Sequence, residues 1–243
     1  RADIINGSEV VNTNSTDAFK YEEKVFAAYS NYSKSWGKWD LNIGLRVEQT
    51  NIEGESLALG ETNTQDYLNW FPNVSISHQI LEEVSVYGSY KRSITRPNYT
   101  DLNPFTLFLN ENTVVVGNPN LIPTYRDHYK IGVNFLKHFT VEAYYTNYEG
   151  AISQLPRQNN QTSIIAYTPT NLDKRTDYGF DFSFDYYLTN DWNLFVLTSF
   201  FNMTEETNFG EGFETIAIFN CTLESLQKSS SKHEASISIL ADE

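Results

Sequence analysis

The chain has 243 residues, a formal net charge of -14, 40% hydrophobic residues and one cysteine, Cys221. The charge argues against nucleic acid as a partner, because a phosphate-binding surface needs clustered Lys and Arg. The single cysteine excludes an internal disulfide framework, the hydrophobic share argues against disorder, and no apolar run is long enough to span a membrane as a helix.

In chain order, the pattern predicts ten strands at approximately 19–35, 38–50, 66–80, 84–95, 122–136, 139–149, 177–189, 192–203, 213–226 and 232–240, and no helix. The reason is a period of two. Trp39, Leu41, Ile43, Leu45 and Val47 share one face of the second strand, while Asp40, Asn42, Gly44, Arg46 and Glu48 share the other. Tyr125, Asp127, Tyr129, Ile131, Val133 and Phe135 do the same in the fifth strand, and Tyr178, Phe180, Phe182, Phe184, Tyr186 and Leu188 in the seventh. A helix would spread these aromatics around its circumference.

The connections are unequal. Short turns are expected near Trp36–Lys38, Leu81–Glu83, Lys137–His138, Asn190–Asp191 and Ser229–Ser231, and long loops near 51–65, 96–121, 150–176 and 204–212. Pro97, Pro104 and Pro119, with Pro123 just beyond, mark the 96–121 stretch as an ordered loop. Membrane-length strands joined alternately by short turns and long loops, with 15% aromatic residues, fit an all-β, antiparallel transmembrane β-barrel: partial, with short periplasmic turns and long extracellular loops. Trp36, Trp39 and Trp192 beside short turns then fit the periplasmic aromatic belt. A soluble β-sandwich is the plainer alternative, though its turns should recur without a long–short rhythm.

Several runs carry a family resemblance. Tyr21–Tyr29 followed by Gly44–Thr50, then Arg92-Ser93-Ile94-Thr95-Arg96-Pro97, Leu102-Asn103-Pro104-Phe105 and Gly117-Asn118-Pro119-Asn120-Leu121-Ile122-Pro123 resemble, in order and spacing, the barrel region of TonB-dependent outer-membrane receptors. The resemblance implies a barrel of about 22 strands with a plugged lumen, placed in the outer membrane of a Gram-negative bacterium. It implies uptake of a small-molecule, glycan or peptide ligand, driven by the TonB system through a plug, and contact with outer-membrane lipid and lipopolysaccharide. Residues 1–18 are expected to be an extracellular loop remnant and 19–243 a partial barrel domain with the plug absent, the chain being an internal piece of a longer receptor. A smaller closed barrel, non-transporting and with a structural or adhesive role, is the alternative.

No catalytic constellation is present in the sequence. His78, His128, His138 and His233 lack metal-ligand spacing, and adjacent pairs such as Glu22-Glu23 point to opposite faces of a strand. No enzyme activity and no cofactor are expected, and Cys221 has no identifiable activating neighbour. The ligand-binding candidates are loop residues: Arg96, Tyr99, Asn103, Phe105 and Phe108. Arg92 and Arg96 could meet an anionic ligand or lipid A phosphate. The plainer reading is a salt bridge to a carboxylate such as Asp101. Tyr99, Phe105 and Phe108 could stack on a ligand ring or pack among themselves.

Overall fold

A computed structural model of the chain describes residues 2–5, 8–11, 19–56, 60–187, 192–207, 213–227 and 232–240. β1 (Ala2–Ile5) and β2 (Ser8–Val11) pair as a separate hairpin. The wall begins with β3 (Phe19–Trp36), β4 (Trp39–Ser56), β5 (Glu61–Leu81) and β6 (Val84–Thr95). A one-turn helix α1 (Tyr99–Leu102) and the short strands β7 (Thr106–Asn110) and β8 (Thr113–Val116) follow. The chain returns to the wall in β9 (Thr124–Phe135) and β10 (Phe139–Glu149), then leaves it in β11 (Ile152–Asn159) and β12 (Ile164–Asn171). It closes with β13 (Lys174–Tyr187), β14 (Trp192–Glu206), β15 (Phe213–Gln227) and β16 (Lys232–Leu240).

The ten long strands form one antiparallel sheet in the order β3-β4-β5-β6-β9-β10-β13-β14-β15-β16, with β3 and β16 at its two ends. Every wall connection is therefore a hairpin or a hairpin with an excursion. All ten expected strands are present. Gly37 supplies a left-handed conformation (φ +57°) at the first short turn, and Leu136 and Lys137 adopt it at the third. The turns expected at Asn190–Asp191 and Ser229–Ser231 lie outside the described residues.

Two expectations need correction. The 51–65 stretch is mostly strand, since β4 and β5 stay paired up to Ser56↔Glu61. Its Asn, Thr and Glu residues read as loop because a strand that leaves the bilayer needs no apolar face. The loops at 96–121 and 150–176 carry structure of their own: the helical turn, and a four-stranded sheet in the order β11-β12-β8-β7. Their strands are too short for periodicity to reveal. The helical turn is capped by Asn98, whose side chain accepts from the Asp101 amide at 3.0 Å. β8 and β12 pair in parallel, Val114 opposite Ala166, so the two excursions are joined by main-chain hydrogen bonds.

The wall has two chemically distinct faces. Outward, the register lines up Tyr90, Tyr129, Tyr145 and Tyr178 on four adjacent strands. Below this row lie Ile131, Ala143, Phe180 and Phe200, then Val133, Val141 and Phe182. Ile131 is 67% exposed and Tyr129 47%, as lipid-facing side chains must be when no lipid is present. The intervening residues face inward and are polar. The buried apolar residues instead collect where the loops fold back onto the wall: Leu102, Leu121, Ala151 and Leu172 are all under 6% exposed.

Candidate functional site

The concave inner face and the loops over its outer end form the candidate site. Gly117 allows the loop to fold back on itself. A Cβ there would collide with the backbone carbonyls of Asn103 and Asp101, and this close approach lets the Asn118 amide donate to the Asp101 carbonyl at 2.6 Å. The folded loop then docks through polar contacts. Asn63 Nδ2 donates to Asn120 Oδ1 at 2.8 Å and Gln65 Nε2 to the Leu121 carbonyl at 3.0 Å. Beneath them Leu121, Leu102 and Pro97 pack with Phe19, Tyr21 and Ile52 of the wall.

A single side chain, Asn171, clasps the two excursions. Its Nδ2 donates to the carbonyls of Ile122 (2.9 Å) and Gly150 (2.7 Å), and its Oδ1 accepts from the Ile122 amide at 3.0 Å. Asn118 Nδ2 reaches the Pro169 carbonyl at 3.2 Å. The proline- and asparagine-rich runs that stand out in the sequence are thus the hinge and clasp of the loops.

The five sequence candidates separate by position. Arg96 turns inward: its Nη2 donates to Glu48 Oε2 at 2.6 Å and to Thr50 Oγ1 at 2.9 Å, and its Nε lies 2.8 Å from Glu23 Oε1. Its partners are therefore Glu48 on β4 and Glu23 on β3, not the expected Asp101. Arg46 also contacts Glu48. Burial is the largest single influence and opposes the Arg96 charge, but the hydrogen bonds and negative potential of Glu48 and Tyr67 together outweigh it and hold the guanidinium above its ordinary pKa. Asn103 caps α1: its amide donates to the Tyr99 carbonyl at 3.0 Å, and its Oδ1 accepts from the Phe105 amide at 3.1 Å. Tyr99 lays its ring against Phe19, 5.6 Å between centroids, and donates to the Phe19 carbonyl at 3.0 Å. Phe105 and Phe108 are exposed, at 40% and 57%. The fold brings Arg96, Asn103 and Tyr99 into the loop–wall junction and leaves the two phenylalanines toward solvent. Arg92 faces outward above the tyrosine row, held by Asp127 at 2.6 Å and Glu149 at 3.3 Å.

Sequence reading overlooked the inner wall of β9, β10 and β13. A depression of about 360 Å³ there is lined by Arg126, His128, Lys130, Glu142, Asp177 and Asp181, among others. Lys130 pairs with Glu142 at 2.6 Å, and Arg175 pairs with Glu205 at 3.0 Å. The signal was available: Arg126, His128 and Lys130 alternate with apolar residues along one strand and so share a face. No group of three or more metal-ligating side chains converges among the described residues. His78 stacks on Trp39 at 4.0 Å, and His138 Nδ1 lies 2.8 Å from the Asp185 carbonyl.

The outer membrane protein beta-barrel family model matches residues 2–239. No curated protein matches the sequence. Among solved structures, the siderophore receptor PirA from Pseudomonas aeruginosa is 14% identical, with a TM-score of 0.53 over 90% of this chain and 50% of that one. The copper transporter OprC is 12% identical, with a TM-score of 0.59 over 99% of this chain and 42% of that one. The alcaligin outer-membrane receptor FauA from Bordetella pertussis is 13% identical, with a TM-score of 0.56 over 92% and 38%. At these identities the likeness concerns the fold, and the chain spans half or less of the length of each receptor.

Proposed function

Because the chain belongs to the outer membrane protein beta-barrel family, we propose that it forms wall and outer mouth of a TonB-dependent receptor importing a siderophore, glycan or peptide. The observation that carries this reading is the loop assembly clasped over a polar inner wall, on a sheet whose outer face is apolar. A wall with a polar inside and a structured outer mouth suits capture of a solute from outside and its passage inward. That neighbours of this fold include a siderophore receptor and a copper transporter supports the same reading. Tyr99, Phe105 and Phe108 are the ligand contacts in this proposal, offering aromatic faces on the outer loop. Arg96 and Asn103 act through the loop, holding it at the angle at which those rings are presented.

The test is nutrient-limited growth and radiolabelled uptake in a strain carrying the full-length gene, with and without a functional TonB system. Uptake that vanishes in both the gene deletion and the TonB-deficient strain supports the reading. Uptake unchanged in the gene deletion refutes it, and lost surface adhesion in that strain would return the protein to a structural or adhesive role.

A further inference from the structure

We propose that the inner wall carries an oxyanion-binding station, built from Arg126, His128 and Lys91, that takes a carboxylate or phosphate group. The argument begins with charge pairing. In this acidic chain Arg46, Arg92, Arg96, Arg175, Lys130 and Lys174 each lie within ion-pair distance of a carboxylate. Arg126 and Lys91 have no such partner among the described residues. They stand together: Lys91 of β6 is directly opposite His128 of β9, and Arg126 is two residues further along the same inward face.

The local hydrogen bonds leave this group short of an acceptor. Arg126 Nη2 lies 3.2 Å from His128 Nδ1. A guanidinium only donates, so Nδ1 accepts and carries no proton. The Thr146 hydroxyl approaches the same nitrogen at 2.8 Å, and Thr146 is 1% exposed. A neutral His128 therefore bears its proton on Nε2, as a donor. Arg126 Nε is buried with no hydrogen-bond partner, and its guanidinium sits 5.9 Å from the Tyr148 ring centroid. The Arg126 guanidinium and the His128 imidazole thus line one open depression, and Lys91 stands on the same inward face beside it, so the group holds more donors than the acceptors around it satisfy.

The acids on the same depression do not meet that demand. Glu142 is engaged by Lys130 and by Tyr87, and Asp177 by Arg175. Asp177 and Asp181 lie on β13, two strands from β9, at about 10 Å across the sheet. In an aqueous lumen that is roughly one Debye length.

This deepens the uptake reading by giving the solute an anionic group, and rests on that reading only for how the anion arrives. The test reads binding rather than transport, so the two can fail separately. Full-length protein is titrated with citrate by calorimetry, and its crystals are soaked in selenate for anomalous scattering. The expected result is saturable citrate binding, weakened at least tenfold by Arg126→Gln and also by the exposed Lys91→Gln, with Arg157→Gln on β11 unchanged. A selenium peak should appear beside Arg126. If the crystals instead show a carboxylate from elsewhere in the full-length protein on Arg126, with no citrate heat, the oxyanion chemistry stands and its source is the protein itself. Empty density together with citrate binding absent or indifferent to both substitutions overturns the proposal.

Discussion

Leu121→Ala tests whether the outer loop is held by its own small core rather than by the wall's hydrogen bonds. Leu121 is 1% exposed and packs with Pro97, Leu102, Phe19 and Ile52 where the loop meets the wall. Removing three carbons from a site with little room to collapse costs about 3 kcal/mol. The ladder of β4, β5 and β6 does not pass through Leu121, so the loss falls on loop docking. Each 1.4 kcal/mol is tenfold in an opening equilibrium, so the undocked population should rise roughly 100-fold. Amide hydrogen exchange of detergent-solubilised protein measures this directly. The Asn118 amide, bonded to the Asp101 carbonyl, and the Leu121 amide, bonded to the Asn118 carbonyl, should exchange roughly 100-fold faster. Amides of β9 and β10 should be unchanged. Acceleration below fivefold at Asn118, or equal acceleration in the wall, would refute the separation of loop core from wall.

Gly117→Ala should undock the same loop, because the new Cβ meets backbone carbonyls that cannot step aside; overpacking costs about 1–3 kcal/mol, and surface protease should cleave between α1 and β8 in intact cells. Arg96→Gln should destabilise the junction of β3, β4 and β6 by about 2–3 kcal/mol, since Glu48 is left nearly buried with one cation fewer. Urea titration of the vesicle-embedded protein checks this, and Arg96→Lys should recover less than half, lacking the fork that spans Glu48 and Glu23. Ile131→Arg, on the outward face, should reduce insertion into lipid vesicles by an amount equivalent to about 2–4 kcal/mol, whereas Ser183→Arg, on the inward face, should insert normally. Equal insertion of both variants would mean that the two faces are assigned the wrong way round.

The wall was legible because its physics is periodic. Tyr178, Phe180, Phe182 and Phe184 alternate with small and acidic residues for one reason, lipid on one side and water on the other, and that reason repeats along every strand. The strands run past their expected ends where that reason lapses: β4 beyond Thr50, β5 before Asp66, β13 before Asp177 and β14 beyond Met203 carry polar residues that read as loop. The loop interior was not legible. Nothing in Thr113–Val116 or Ile164–Asn171 shows that they pair with each other, because parallel pairing of two short segments about fifty residues apart leaves no local signature. Arg96 stands out in the sequence, but its partners, Glu23 and Glu48, lie on strands that only the hairpin registers bring alongside it. Asn171, which holds the Ile122 and Gly150 carbonyls, is not legible in the sequence, since an asparagine in a loop is compositionally ordinary.

The parallel pairing of β8 with β12 sets a rule for inheritance and for engineering. An insertion in either hairpin shifts the residues opposite Val114 and Ala166, so the two segments must change length and apolar pattern together as the protein diverges. Grafting one hairpin from a relative would leave its mate without a matching edge. A chimera intended to transplant ligand preference should therefore exchange residues 97–123 and 150–173 as one cassette.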